Sequence, residues 1–174
     1  KGCSLLSDIM YNVVHKYWDA GLQIAIVANG RFQKVFRDIV AFHDFYERVT
    51  VCDFDEGLSH LAFAASDFIL MPSLFEPCGL SQLISLRYGT VPIVRETGGL
   101  RDTVLSYNEY TKEGNGFTFL NYNAHDMLNV IRRALSCYRK QPELIKLLQE
   151  RGMTGDYSWA HSANEYVKIY KKLL

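Results

Sequence analysis

Apolar residues recur at Leu5, Ile9, Val13, Val14 and Tyr17, the spacing of one helical face, and Gly21 follows as a stop signal. The period then shortens. Gln23–Ala28 (QIAIVA) is a brief β-rich run ending at Asn29-Gly30, which predicts a buried strand with a turn behind it. The alternation continues with a helix over Arg31–Phe45, a strand over Arg48–Phe54 and a helix over Asp55–Ser66, with Asp55 as N-cap. Phe68–Met71 (FILM) is a third strand, stopped by Pro72; Gly79–Tyr88 is a helix and Val91–Arg95 a fourth strand. Thr97-Gly98-Gly99 turns into a short helix from Leu100, and Gly116–Leu120 is a fifth strand. Ala124–Arg139, Pro142–Arg151 and Ser158–Leu174 complete the helices. Strands of about five residues alternating with helices of ten or more predict βαβ units, hence an α/β fold with a Rossmann-like parallel sheet flanked by helices. In such sheets ligands bind beyond the carboxyl ends of the strands. Four loops lie there: Gly30, Asp53–Glu56, Pro72–Gly79 and Glu96–Gly99.

Composition narrows the chemistry. The chain has 174 residues, 48% hydrophobic and 22% charged, as an ordinary globular domain has. Lys+Arg and Asp+Glu balance at 19 each, so no net field draws in nucleic acid or an anionic membrane, and neither is expected as a partner. No apolar run approaches the length of a membrane span. Cys3, Cys52, Cys78 and Cys137 are widely separated, and the five histidines show no ligand spacing. A disulfide framework or zinc site is therefore not expected, and reduced, mostly buried thiols fit a cytoplasmic compartment. Lys1 is no initiator methionine and runs at once into a helical pattern, so the chain reads as cut from something longer.

The loop after the third strand carries the most chemistry. Pro72 and Pro77 stiffen it, and Pro77 keeps Glu76 extended. Gly79 allows a ligand to approach the main chain, and the amides of Gly79, Leu80 and Ser81 open the next helix as an anion site suited to a diphosphate. A carboxylate beside such a cradle would repel phosphate but suits the hydroxyls of a neutral polyol. The residues alone leave a second reading open, in which Glu76 caps the helix and the prolines shape a turn.

Asp67–Leu83 (DFILMPSLFEPCGLSQL), Arg87–Val94 (RYGTVPIV) and Thr97–Val104 (TGGLRDTV) resemble the bacterial glycogen synthases and plant starch synthases. The likeness continues through Gly116–Ala134 and Asp156-Tyr157-Ser158-Trp159, and covers almost the whole chain. It implies the C-terminal domain of a retaining GT-B glycosyltransferase that uses ADP-glucose or UDP-glucose. Residues 1–157 would form the nucleotide-sugar-binding domain, with its first strand missing. Residues 158–174 would be the helix that crosses to the absent N-terminal domain. By resemblance, Glu76 hydrogen-bonds the donor glucose, while Cys78, Gly79 and Leu80 contribute backbone contacts to glucose and phosphate. Ser81 touches the diphosphate, Lys1 matches the lysine of a Q-K-G motif that neutralises the leaving diphosphate, and Phe54 stacks on the base. A wider group of relatives carries a second glutamate eight positions after the first; here that position is Ile84, as in glycogen and starch synthases.

The implied reaction transfers glucose, with retention, to the non-reducing end of an α-1,4-glucan. No cofactor or metal is implied. The family's K-x-G-G loop belongs to the N-terminal domain and does not occur here, so the isolated chain is expected to be inactive. Two alternatives stay open: a GT-B enzyme with UDP-glucose or another acceptor, and a non-catalytic nucleotide- or glucan-binding module. Asp53-Phe54-Asp55 has the form of a D-x-D metal motif but reads better as a strand-end aspartate followed by a helix N-cap. Thr97-Gly98-Gly99 either approaches the donor or links strand to helix. Trp159, Tyr166 and Tyr170 read as a packing surface at helical spacing, and the histidines as structural.

Overall fold

The computed structural model describes residues 1–173. In chain order its elements are α1 (Cys3–Lys16), β1 (Ile24–Val27), α2 (Phe32–His43), β2 (Val49–Cys52), α3 (Glu56–Ala65), β3 (Phe68–Met71) and α4 (Ser81–Tyr88). There follow β4 (Val91–Arg95), α5 (Gly98–Thr103), β5 (Phe117–Phe119), α6 (Ala124–Lys140), α7 (Pro142–Thr154) and α8 (Trp159–Leu173). All strand pairings are parallel, and helices connect and flank the strands. The α/β expectation holds element by element. Three helices start where side chains supply the missing acceptor: Asp55 Oδ1 accepts from the Leu58 amide at 2.7 Å, Asn123 Oδ1 from that of Asp126 at 2.8 Å, and Ser158 Oγ from that of His161 at 3.2 Å.

The strands form two sheets rather than one: β1 pairs with β2 in register Ile24–Val49, while β4 lies between β3 and β5. The doubly wound order interposes a strand between β1 and β3, and that strand is the one that leads into the first helix. Here α1 opens at Cys3, and β1 and β3 are not bonded to each other.

Helix α1 unites the two halves. Leu5, Ile9 and Val13 enter the larger core with Ile93, Phe117, Met127, Ile131 and Leu148. Met10 and Val14, one turn-fraction round the same helix, enter a second core with Phe36, Val40, Phe45 and Val49. A small third cluster, Met71, Val94, Leu100 and Val104, sits at the carboxyl ends of β3 and β4 and supports the loops that leave them. Helix α8 buries none of its described residues, so Trp159, Tyr166 and Tyr170 are open to solvent rather than packed within this chain. No described helix is long and apolar enough to cross a membrane.

Candidate functional site

Strand β3 ends at the buried Met71, and Pro72, which has no N–H to continue the ladder, turns the chain out. The following helix opens at Ser81, two residues later than the sequence pattern suggests. Gly79 adopts a left-handed φ of 75°, which no helix interior accommodates, and Leu80 takes the N-cap position without a side-chain cap. The amides of Gly79 and Leu80 therefore belong to the loop, and only that of Ser81 belongs to the helix terminus. The anion cradle is half loop and half helix.

The loop's backbone is polarised. Most of its carbonyl groups are taken up by the protein behind it: Leu74 O accepts from Arg95 Nη1 at 2.8 Å, Pro77 O from the Gly99 amide at 3.2 Å, and Gly79 O from Gln82 Nε2 at 2.7 Å. Ser73 O and Cys78 O are held by the same two side chains, at 3.3 and 3.1 Å. Among the described residues, no backbone N–H from Ser73 to Ser81 has a protein acceptor. A loop with most of its carbonyls tied inward presents its N–H groups outward, which favours an anionic or oxygen-rich ligand.

Glu76 sits inside this curve, 7% exposed. Ser73, itself buried, donates its hydroxyl to Glu76 Oε2 at 3.1 Å, and the Lys1 ammonium pairs with the same oxygen. The hydrogen bond from Lys1 holds the carboxyl below the usual carboxylate range against the opposing pull of burial. Glu76 is therefore ionised at neutral pH, an acceptor fixed in place. The Lys1 side chain is 71% exposed while that of Glu76 is 9% exposed, so the lysine approaches the pair from the solvent side. The structure thus brings together residues 75 positions apart. Cys78 and Leu80 are exposed on the outer face of the loop, with Ser81 at the first position of α4.

Phe54 stands apart from this cluster, at the carboxyl end of β2, 54% exposed, its amide donating to Asn29 Oδ1 at 3.0 Å. Its neighbours are committed elsewhere. Asp53 Oδ1 accepts from Gln33 Nε2 and Arg37 Nη2, both at 2.8 Å, and the Arg37 hydrogen bond lowers its pKa. Asp55 caps α3. Among the described residues no group of three or more His, Cys, Asp or Glu side chains converges as a metal cluster would.

Three contributors escaped the sequence reading. Gln82 is fully buried, and its Nε2 serves Cys78 O, Gly79 O and, at 3.2 Å, Thr103 Oγ1, leaving its own Oε1 without a partner. Arg95 grips the loop from the end of β4. Gly98 and Gly99 do more than join two elements: a Cβ on Gly98 would overlap the carbonyl oxygen of Glu76, and one on Gly99 that of Cys78. Only the double glycine in Thr97–Gly99 carried a sequence signal, and it was ambiguous. Two concavities of about 270 and 350 Å³ lie elsewhere, around Arg133, and no residue of the 72–81 loop lines them. With Leu74, Phe75, Pro77, Cys78 and Leu80 all exposed, the loop forms an open ledge.

Residues 1–151 match the family described as glycosyl transferases group 1. Over 169 residues the chain is 54% identical to the glycogen synthase of Geobacillus thermodenitrificans, covering 96% of this chain and 34% of that protein. It is 46% identical over 176 residues to that of Anoxybacillus flavithermus, covering 100% of this chain and 35% of that protein. The chain thus spans about a third of the length of the curated relatives it matches. Among solved structures, the catalytic domain of starch synthase IV from Arabidopsis thaliana, bound to ADP and acarbose, superposes with a TM-score of 0.78 at 32% identity. That match covers 95% of this chain and 35% of the other. Sucrose-phosphate synthase from Thermosynechococcus elongatus, 23% identical with a TM-score of 0.68, covers 99% of this chain and 42% of its own and shares the fold.

Proposed function

The chain belongs to the group 1 glycosyl transferases, with the fold of a GT-B domain, and from that premise we propose that it is the donor-binding part of a glycogen synthase. The donor is ADP-glucose, and the reaction is retaining transfer of glucose to the non-reducing end of an α-1,4-glucan. One observation carries the reading: the 72–81 loop turns its amides outward around a buried, ionised Glu76. Amides at the start of α4 suit a diphosphate, and a fixed carboxylate beside them suits sugar hydroxyls.

In this reading Glu76 orients the glucose, so that its anomeric carbon faces the acceptor. The transition state is oxocarbenium-like, and negative charge builds on the departing diphosphate. The amides of Gly79, Leu80 and Ser81, the Ser81 hydroxyl and the Lys1 ammonium are placed to meet that charge. The exposure of Lys1 allows it to leave Glu76 for the diphosphate when the sugar's hydroxyls replace it. Phe54 offers an exposed ring for a base. The ledge is one side of a site; the open face of α8 and the span of the relatives support a second domain as the other side, supplying the acceptor surface.

Calorimetric titration with ADP, ADP-glucose, UDP and UDP-glucose tests the reading. ADP-glucose is expected to bind more tightly than ADP. Glu76→Ala is expected to weaken ADP-glucose by about 10- to 100-fold, the worth of a hydrogen bond to a charged group, with ADP changed by less than about threefold. Equal losses for both ligands would remove Glu76 from the sugar. Tighter binding of UDP-glucose than of ADP-glucose would reassign the donor.

A further inference from the structure

One side chain makes no hydrogen bond with Glu76 yet grips the main chain of Ser73, which does. Arg95 ends β4, and its guanidinium spans two loops that have no hydrogen bond to each other. Nη1 donates to Leu74 O at 2.8 Å and Ser73 O at 3.3 Å, on the limb leaving β3; Nε donates to Leu120 O at 3.2 Å, just after β5. The Tyr122 ring lies 5.6 Å from the guanidinium carbon, closing its other side. One planar cation therefore ties the carboxyl ends of three neighbouring strands together.

The connection to Glu76 runs through Ser73. Its carbonyl is in Arg95's grip, and its hydroxyl, buried with it, bonds Glu76 Oε2. We propose that Arg95 is a positioning residue for donor-sugar recognition: by fixing Ser73 and Leu74 it sets where the Glu76 carboxylate stands. The second limb of the loop has its own brace in Gln82, so the effect of Arg95 is directed to the sugar-facing half of the ledge and not to the diphosphate-facing half. Lysine is a poor substitute, since one ammonium on a flexible stem cannot donate in both directions at fixed angles.

The proposal rests on the donor-binding reading above, and the test separates the two. The quantity to follow is the ratio of the ADP and ADP-glucose dissociation constants, measured for the wild-type chain, Arg95→Met, Arg95→Lys, Ser73→Ala and Glu76→Gln, with a melting curve for each. Arg95→Met is expected to lower that ratio at least tenfold while ADP affinity changes less than about threefold. Arg95→Lys should recover only part of it, and Ser73→Ala should reproduce the loss without touching the arginine. In the Glu76→Gln background, Arg95→Met should lower the ratio no further, because both changes act on one contact. A lowered melting temperature with an unchanged ratio would make Arg95 a structural residue only and overturn the proposal. So would additive losses in the double variant. If Arg95→Met does not fold, Arg95→Lys and Ser73→Ala decide alone, and an unchanged ratio in both overturns it. A wild-type chain that fails to prefer ADP-glucose over ADP defeats the donor-binding reading itself, and the Arg95 proposal with it.

Discussion

Gly98→Ala should abolish most donor binding and destabilise the chain, through the Glu76–Pro77 main chain that residue 98 packs against. Two costs combine. Gly98 has a φ of 46°, in the left-handed region, where a Cβ costs about 1–2 kcal/mol. The added methyl would also overlap the carbonyl oxygen of Glu76 and meet the Pro77 α-carbon at 3.4 Å. Both are main-chain neighbours, so no rotamer change relieves the contact, and overpacking of this kind costs roughly 1–3 kcal/mol more. Relief requires moving either α5, whose Leu100 is fully buried, or the Glu76–Pro77 backbone. Moving the latter carries the carboxylate with it. We expect ADP-glucose affinity to fall by more than about tenfold in titration, alongside a loss of about 2–5 kcal/mol in urea unfolding. Gly21→Ala is the control. Gly21 has a φ of 76° but nothing within 4 Å of the added methyl, so it should show the backbone cost with donor binding intact. Equal binding losses in the two variants, or wild-type affinity in Gly98→Ala, would refute the close approach.

Phe117→Ala should produce the largest loss of stability. Phe117 is fully buried at the start of β5, stacks edge-on to Phe68 at 6.3 Å and lies 5.6 Å from the Arg133 guanidinium. Its ring sits among Leu5 and Ile9 of α1, Ile93 of β4, Met127 and Ile131 of α6 and Leu148 of α7. Removing it empties the place where those elements meet, and the surrounding helices cannot all collapse inward at once. The expected cost is about 3–5 kcal/mol, with a fall in melting temperature of roughly 6–20 °C for a chain of this size. Phe117→Leu, which nearly preserves volume, should cost less than about 1.5 kcal/mol. Denaturant unfolding at unchanged slope would measure both. A loss under about 1 kcal/mol for the alanine variant would mean that β5 is not part of the main core.

The elements were legible because each strand is a short apolar run, bounded by glycine, proline or asparagine except at β2, where charged residues flank it, and each helix repeats at its own period. The boundary of α4 was not. Its cap is made by Leu80, which offers no oxygen, and the pattern carried no sign that Gly79 would turn left-handed. The loop's glycines and prolines announced a binding turn, but the pairing of Lys1 with Glu76 spans 75 residues and no local period encodes it; only the resemblance connected them. Arg95 and Gln82 were hidden for another reason. On a strand end and a helix face they read as ordinary surface residues, and their roles arise from the carbonyls that folding brings to them. The division of the sheet has no local signal either, since strand order is a property of the assembled chain.

That division has a dynamic consequence. Among the described residues only β4 has a hydrogen-bonded strand on both sides; β1 and β3 each have one. Along each of these strands, amides alternate between a partnered side and an open one. In native-state hydrogen–deuterium exchange, β4 should retain its protons longest, while alternate amides of β1 and β3 exchange early despite their apolar sequences. Uniform protection along β3 would show that its open side is covered in solution.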